Sequence, residues 1–75
     1  MDEQDVLFRA KRIAEEQGWT WIDPAKAWLL NPNSAQAHWQ VRSNSQGLGC
    51  IVQVEVDDRT GDIIGQSYIA RQGNN

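Results

Sequence analysis

The chain has a single cysteine, no long apolar run and no surplus of basic residues, and each shortage excludes a class of protein. Cys50 is alone among 75 residues, so an intrachain disulfide cannot form. No apolar run approaches the roughly 20 residues that a membrane span needs. Residues 1–5 are acidic and lack the basic and apolar regions of a secretory leader. We therefore expect a cytoplasmic protein that does not bind membranes.

The charge balance argues against nucleic acid as a partner. Seven Lys and Arg residues are scattered among ten Asp and Glu residues, and the net charge is -3. Nucleic-acid binders instead cluster their basic residues on one face. The hydrophobic share of 40% and the charged share of 23% are typical of a globular chain. At this length we expect a single domain over 1–75 with one modest core.

The first segment has the pattern of an amphipathic helix over about 3–17. Asp2 can cap its start, and Gly18 is a natural C-terminal stop. Because the apolar stripe occupies one side only, we expect this helix to lie on a sheet. The stripe consists of Val6, Ala10, Ile13 and Ala14, with Leu7 beside it.

The middle of the chain has weaker signals. The alternating segment 19–22 is rich in aromatic and β-branched residues, and it is compatible with a short strand. Asp23 followed by Pro24 has the form of an N-cap and a first-turn proline. The prediction for 24–36 is accordingly a short helix or a loop.

The second half has the alternation of antiparallel strands. The pattern predicts strands over about 37–43, 50–57 and 62–70. The polar break at 57–61 ends in glycine, which supplies the positive φ of a short hairpin turn. We expect 71–75 to be a frayed tail. The predicted fold class is α+β, with the N-terminal helix packed on a three- to four-stranded antiparallel sheet in two layers.

The hairpin also carries a family resemblance. The run Val54-Glu-Val-Asp-Asp-Arg-Thr-Gly-Asp-Ile63 resembles the closing hairpin of PepSY-type domains, in which a strand ending in Val-Asp meets a Thr-Gly turn. Trp39-Gln-Val-Arg42 is similar to the aromatic-x-Val strand of that family. The resemblance implies a fold of this kind and, as in some members, a binding or inhibitory role toward peptidases. It implies no catalytic residues.

Reactive side chains are few and do not fall into catalytic or metal-binding spacings. The single His38 and Cys50 occur in no CxxC, HxxxH or HExxH pattern, so we expect no metal and no cofactor. Cys50 has the same parity as Val52 in its strand, which predicts a buried, inert thiol. His38 has the opposite parity to Trp39, which places it on the less buried face.

Four tryptophans are many for a chain of this size. Trp39 is predicted to be a core residue. For Trp19, Trp21 and Trp28 two interpretations stay open. They either cover the open end of the sheet, or they form a partner-binding patch, because tryptophan is enriched at interface hot spots.

These observations together favour a non-catalytic protein-binding module. Within that class, we expect an inhibitor or immunity-type partner of a bacterial enzyme, with another protein as the ligand. Two alternatives stay open. One is a small ligand-binding protein or enzyme that uses Cys50 and His38, and the other is a structural homodimer.

Overall fold

The protein begins with a helix that has the predicted bounds. A computed structural model describes residues 1–47 and 49–70, so the predicted tail at 71–75 lies outside the described residues. Helix α1 spans Glu3–Gln17, and the Asp2 carboxylate accepts the backbone N–H of Asp5 at 2.9 Å as its N-cap. Gly18 ends the helix in the left-handed conformation, with φ 77°.

The rest of the described chain forms one antiparallel sheet. Its strands are β1 (Lys26–Leu30), β2 (His38–Arg42), β3 (Ile51–Asp57) and β4 (Ile63–Ile69). The order in the sheet is β1-β2-β3-β4, so each strand pairs with its neighbour in sequence. The predicted fold class, an N-terminal helix packed on a three- to four-stranded antiparallel sheet, is confirmed with four strands.

The middle of the chain corrects two predictions. Segment 19–22 is not a strand, because its backbone hydrogen bonds do not form a ladder with a neighbouring strand. The Trp19 N–H donates to the Ala14 carbonyl, and the Ile22 carbonyl accepts from the Asn44 N–H. Within 24–36 there is no helix, and Lys26–Leu30 forms the first strand instead. Its whole length pairs with β2, and this tertiary pairing overrides the good helix propensity of its lysine, alanine and leucines.

The core lies between α1 and the two central strands. Valines of β2 and β3 meet Val6, Ala10 and Ala14 of the helix, and all these side chains have zero exposure, whereas Ile13 is partly buried. The helix contacts β1, β2 and β3 but makes no comparable contact with β4. The helix therefore does not cover β4, and on this face the ring of Trp19 stacks on Tyr68. The core side chains are Val6, Ala10, Ala14, Val41, Val52, Val54 and Val56.

The β3–β4 hairpin closes by the predicted turn. Gly61 has φ 79°, and its N–H donates to the Asp57 carbonyl at 2.9 Å. The register shifts by one residue, because Val56 pairs with Ile63 whereas Glu55 pairs with Gly65. This bulge leaves both Ile63 and its neighbour Ile64 exposed, so neither of them enters the core.

The Asp57 carboxylate holds the hairpin turn together from within. Its Oδ1 accepts the backbone N–H groups of Arg59 at 2.7 Å and of Thr60 at 3.0 Å. The Thr60 bond and then the Arg59 bond hold the pKa of Asp57 below its ordinary value. A lowered pKa in the folded state means that the ionised carboxylate stabilises the fold.

We expect Asp57→Asn to lower the urea midpoint of unfolding at pH 7. The stabilisation from Asp57 is complete above the ordinary aspartate pKa and is lost as the pH falls through the lowered folded value. The difference in urea midpoint between Asp57→Asn and wild type should therefore shrink toward zero at strongly acidic pH. Asp62→Asn on the same hairpin is the control. A difference that persists unchanged at acidic pH would contradict this account.

Candidate functional site

Strand β4 is an edge of the sheet that lacks protecting charges and prolines, although a bulge lies at its start. It pairs with β3 on one side, and no described strand pairs with its other side. Its seven residues carry no charge and no proline. Isoleucines Ile63, Ile64 and Ile69 are exposed, and Ile64 shows 54% of its surface. Soluble proteins usually protect such edges with charges, prolines or covering segments, so an uncovered apolar edge indicates a surface for pairing.

A groove runs beside this edge, between β4 and the outer side of α1. It encloses about 340 Å³ and is open to solvent. We call it the β4 groove. Phe8, Ile13 and Ile63 supply its apolar surface, and Phe8 is 66% exposed. Its remaining lining residues are Asp5, Arg9, Arg12, Glu16 and Gly61.

The charged residues of the β4 groove are mostly engaged with one another or with the hairpin. Arg12 lies 3.7 Å from Glu16 along the helix. The Arg9 guanidinium donates to the Gly61 carbonyl over a long 3.5 Å, which connects the helix to the hairpin. With two acids and two arginines, the lining has no net charge. The groove therefore offers apolar surface and no net charge.

An extended segment could add a further strand to β4. Backbone N–H and C=O groups on the free side of an edge strand can pair with such a segment without any specific side chain. Successive side chains of the added strand point to opposite faces of the sheet. Side chains on the helix-side face of an added strand would therefore lie on the same side of the sheet as the β4 groove, which borders β4 at Ile63.

The three tryptophans for which a binding patch was one of two interpretations lie on different faces of the sheet. Trp19 is half-buried and stacks on Tyr68 of β4, with ring centroids 5.3 Å apart. Trp21 is half-buried against the core, and its indole N–H donates to Asp23 at 3.0 Å. Trp28 points to the opposite face of the sheet and is 42% exposed. Trp19 and Trp21 thus mainly cover the core, and Trp28 alone belongs to the open face.

Trp39 has a structural role close to the predicted one. Its ring packs against the core while remaining partly exposed. The indole N–H donates to the Asp58 carboxylate at 2.7 Å, and the Asp58 N–H donates to the Ala37 carbonyl at 3.1 Å. These two bonds fasten the β3–β4 turn to the start of β2.

The prediction of a buried Cys50 is wrong. The residue is half-buried, because β3 begins at Ile51 and the strand alternation does not extend back to Cys50. His38 lies opposite Asp57, the last residue of β3, whereas Cys50 immediately precedes the first residue of β3. Seven residues of extended chain place the two ends of this stretch about 23 Å apart. The structure does not bring the two side chains together as a catalytic pair.

Acidic side chains of the hairpin are engaged locally. Asp57 accepts hydrogen bonds within its own turn, and Asp58 accepts from Trp39. In 1–47 and 49–70, no three His, Cys, Asp or Glu side chains are grouped closely enough to hold a metal ion. The His38 Nδ1 lies 2.9 Å from the Gln36 carbonyl, which orients the imidazole.

Comparison of the chain with known families, curated proteins and solved structures finds no match. The resemblance of the hairpin to PepSY-type domains therefore stays a prediction that rests on the residues themselves. Within the described ranges, no helix has the length and apolar character needed to cross a membrane.

Sequence reasoning missed the β4 groove. One signal was present, because no charged residue occurs between Asp62 and Arg71, a long gap for a surface strand. The pattern could not show that this strand lies at the sheet edge. It also could not show that the helix is displaced toward β1.

Proposed function

We propose that this protein is a non-catalytic protein-binding module that holds an extended segment of another protein along β4. The observation that carries the proposal is the seven-residue, uncharged edge strand with its exposed isoleucines. Strand addition suits it because main-chain pairing supplies affinity and the adjoining groove supplies selectivity.

The apolar surface beside β4 supports the same proposal. Phe8 lies on the outer side of α1, where an amphipathic helix normally carries polar residues. Together with Ile13 and Ile63 it borders the groove that an added strand would fill. Burial of such surfaces contributes roughly 25 cal/mol per Å² of apolar area. The occupant that fits is an extended segment with apolar residues at alternate positions.

Within this class we propose an inhibitor or immunity-type partner of a bacterial enzyme. Two features support this finer proposal: the hairpin resemblance to PepSY-type domains, some of which act on peptidases, and the net charge of -3. An acidic surface speeds association with a basic target and disfavours acidic competitors. Strand pairing along β4 would then supply the contact, and charge would supply part of the selectivity.

A test starts from a displayed library of random decapeptides selected on the immobilised protein. Peptides that bind are then measured against Ile64→Lys, which places a charge on the exposed edge. We expect at least tenfold weaker binding, because a charged edge disfavours strand addition. Leu30→Lys on the other edge strand is the matched control and should bind as wild type does. Backbone amides of β4 should also exchange more slowly in the peptide complex.

Sedimentation separates this proposal from a structural homodimer. Because β4 carries no charge, two copies could also pair along it without like charges at the seam. If the wild-type protein forms a dimer whose population rises with concentration, and Ile64→Lys dissociates it, the partner at β4 is a second copy of the chain and not another protein. Binding at β4 would be refuted if the protein is a monomer and no peptide is selected from the library. It would also be refuted if the selected peptides bind Leu30→Lys more weakly and Ile64→Lys as tightly as wild type.

A further inference from the structure

Two cations face each other across β1 and β2. Lys26 and Arg42 are directly opposite in the antiparallel register, on the sheet face that α1 does not cover. Like charges at such positions destabilise a sheet. The chain has ten acidic residues, yet none in its described part forms an ion pair with either cation within 4.0 Å.

Protection of the edge does not explain this pair. A lysine at the start of an edge strand is a common device against aggregation, and it accounts for Lys26 alone. Arg42 lies on β2, which is paired on both sides and needs no such protection. An uncompensated arginine beside that lysine therefore indicates a position where a negative charge is accommodated.

A pocket lies at this point, formed by Lys26, Trp28, Arg42, Asn44, Ser45, Gly47 and Ile51. We call it the β1–β2 pocket. It encloses about 320 Å³ and contains no acidic side chain in its lining. Ile51 contributes apolar surface and is only 4% exposed. Trp28 lies on the same face as the two cations, and the residue is 42% exposed.

The loop wall of the pocket is held in place by backbone bonds. The Asn44 N–H donates to the Ile22 carbonyl at 2.7 Å, and the Ser45 N–H donates to the Pro24 carbonyl at 2.9 Å. The Asn44 side chain donates to the Cys50 carbonyl at 3.2 Å. The wall is thus fastened both to the segment before β1 and to the entry of β3. Such preorganisation reduces the ordering cost of binding.

We propose that the β1–β2 pocket binds a small ligand with an oxyanion group, carboxylate or phosphate, attached to a flat or apolar body. Arg42 presents a planar fork of donors that matches an oxyanion in a bidentate manner. Lys26 adds a second positive charge from the neighbouring strand. Trp28 contacts the body of the ligand, since aromatic faces bind flat groups well. This site is separate from the β4 groove and does not depend on the proposed strand pairing.

The test is a chemical-shift titration at pH 7 and constant ionic strength with four probes: acetate, benzoate, inorganic phosphate and phenyl phosphate. We expect saturable shifts at the Trp28 indole N–H and at the Ser45 and Gly47 amides. Benzoate or phenyl phosphate should bind more tightly than acetate or inorganic phosphate, because only they reach the indole. Comparison of the two aromatic probes distinguishes a carboxylate site from a phosphate site.

A pair of double variants supplies the control. Lys26→Gln/Arg42→Gln should weaken binding at least tenfold, whereas Lys11→Gln/Arg59→Gln removes the same charge elsewhere and should change it less than twofold. The first variant should be at least as stable as wild type in anion-free buffer, because it relieves repulsion. Equal losses of affinity in both double variants would overturn the proposal, and so would the absence of saturable shifts with all four probes. It is also overturned if the aromatic probes bind no more tightly than acetate and inorganic phosphate, or if Lys26→Gln/Arg42→Gln is less stable than wild type.

Discussion

Replacing Val54 with alanine is expected to lower the free energy of unfolding by about 1.5–3 kcal/mol. Val54 lies on a central strand with zero exposure, in the cluster that includes Val6 and Ala10 of the helix. Truncation removes methyl groups from a site that cannot collapse easily, since the helix packs across three strands of the sheet. A domain of this size has a total stability of roughly 4–11 kcal/mol, so the loss is a large fraction.

Urea unfolding followed by tryptophan fluorescence measures this change. Gln53→Ala is the matched control, because Gln53 is the preceding residue of β3 and points to the open face. It should cost no more than about 0.5 kcal/mol. Equal costs at the two positions would mean that α1 does not pack on β3, and the fold described above would be wrong.

Trp39→Ala is expected to cost about 3 kcal/mol, the second large effect. The substitution removes a large ring that packs against the core. It also breaks the 2.7 Å bond from the indole to Asp58. Trp28→Ala should cost clearly less than Trp39→Ala, because Trp28 lies on the open face of the sheet and is 42% exposed. Thermal or urea unfolding of the two variants makes the comparison.

A double-mutant cycle separates the hydrogen bond from the packing of the ring. Trp39→Phe keeps an aromatic ring and removes the donor, and Asp58→Ala removes the acceptor. We expect a coupling energy of about 1 kcal/mol or more, because bonds to charged groups contribute more than neutral ones. Strict additivity of the two substitutions would show that the bond to Asp58 does not stabilise the fold.

Local signals in the sequence predicted the helix and the hairpin well. The cap at Asp2 and the stop at Gly18 act over one turn of chain, and a helix with one apolar stripe needs a sheet beneath it. Gly61 was predicted to have a positive φ because the turn requires one, and its φ is 79°. Each of these features depends on neighbours only a few residues away.

Strand β1 was not predicted from the sequence, and the reason is physical. Its sequence Lys-Ala-Trp-Leu-Leu has no clean alternation, and both of its leucines are exposed. Only Ala27 packs against the core, so the signal that a half-buried strand normally carries is nearly absent. Pairing with β2 defines this strand, and that pairing is a contact between segments that are separated in sequence.

The candidate sites were even harder to predict from the sequence than strand β1. Tryptophan content left a binding patch as one of two interpretations, but Trp19 and Trp21 pack against the core, whereas the register of β1 places Trp28 on the opposite face of the sheet. The unprotected β4 edge and the opposed cations Lys26 and Arg42 follow from which strands are neighbours. Neither can be read from a pattern along one strand.

The sequence by itself determined where the helix begins and ends, how the last hairpin turns, and which valines are buried, because caps, glycines and alternation act locally. Only the tertiary structure decided that β4 is an edge, that α1 leaves it uncovered, and that Lys26 faces Arg42. Strand order and helix placement minimise the free energy of the whole core. The surfaces they expose are therefore set by long-range packing.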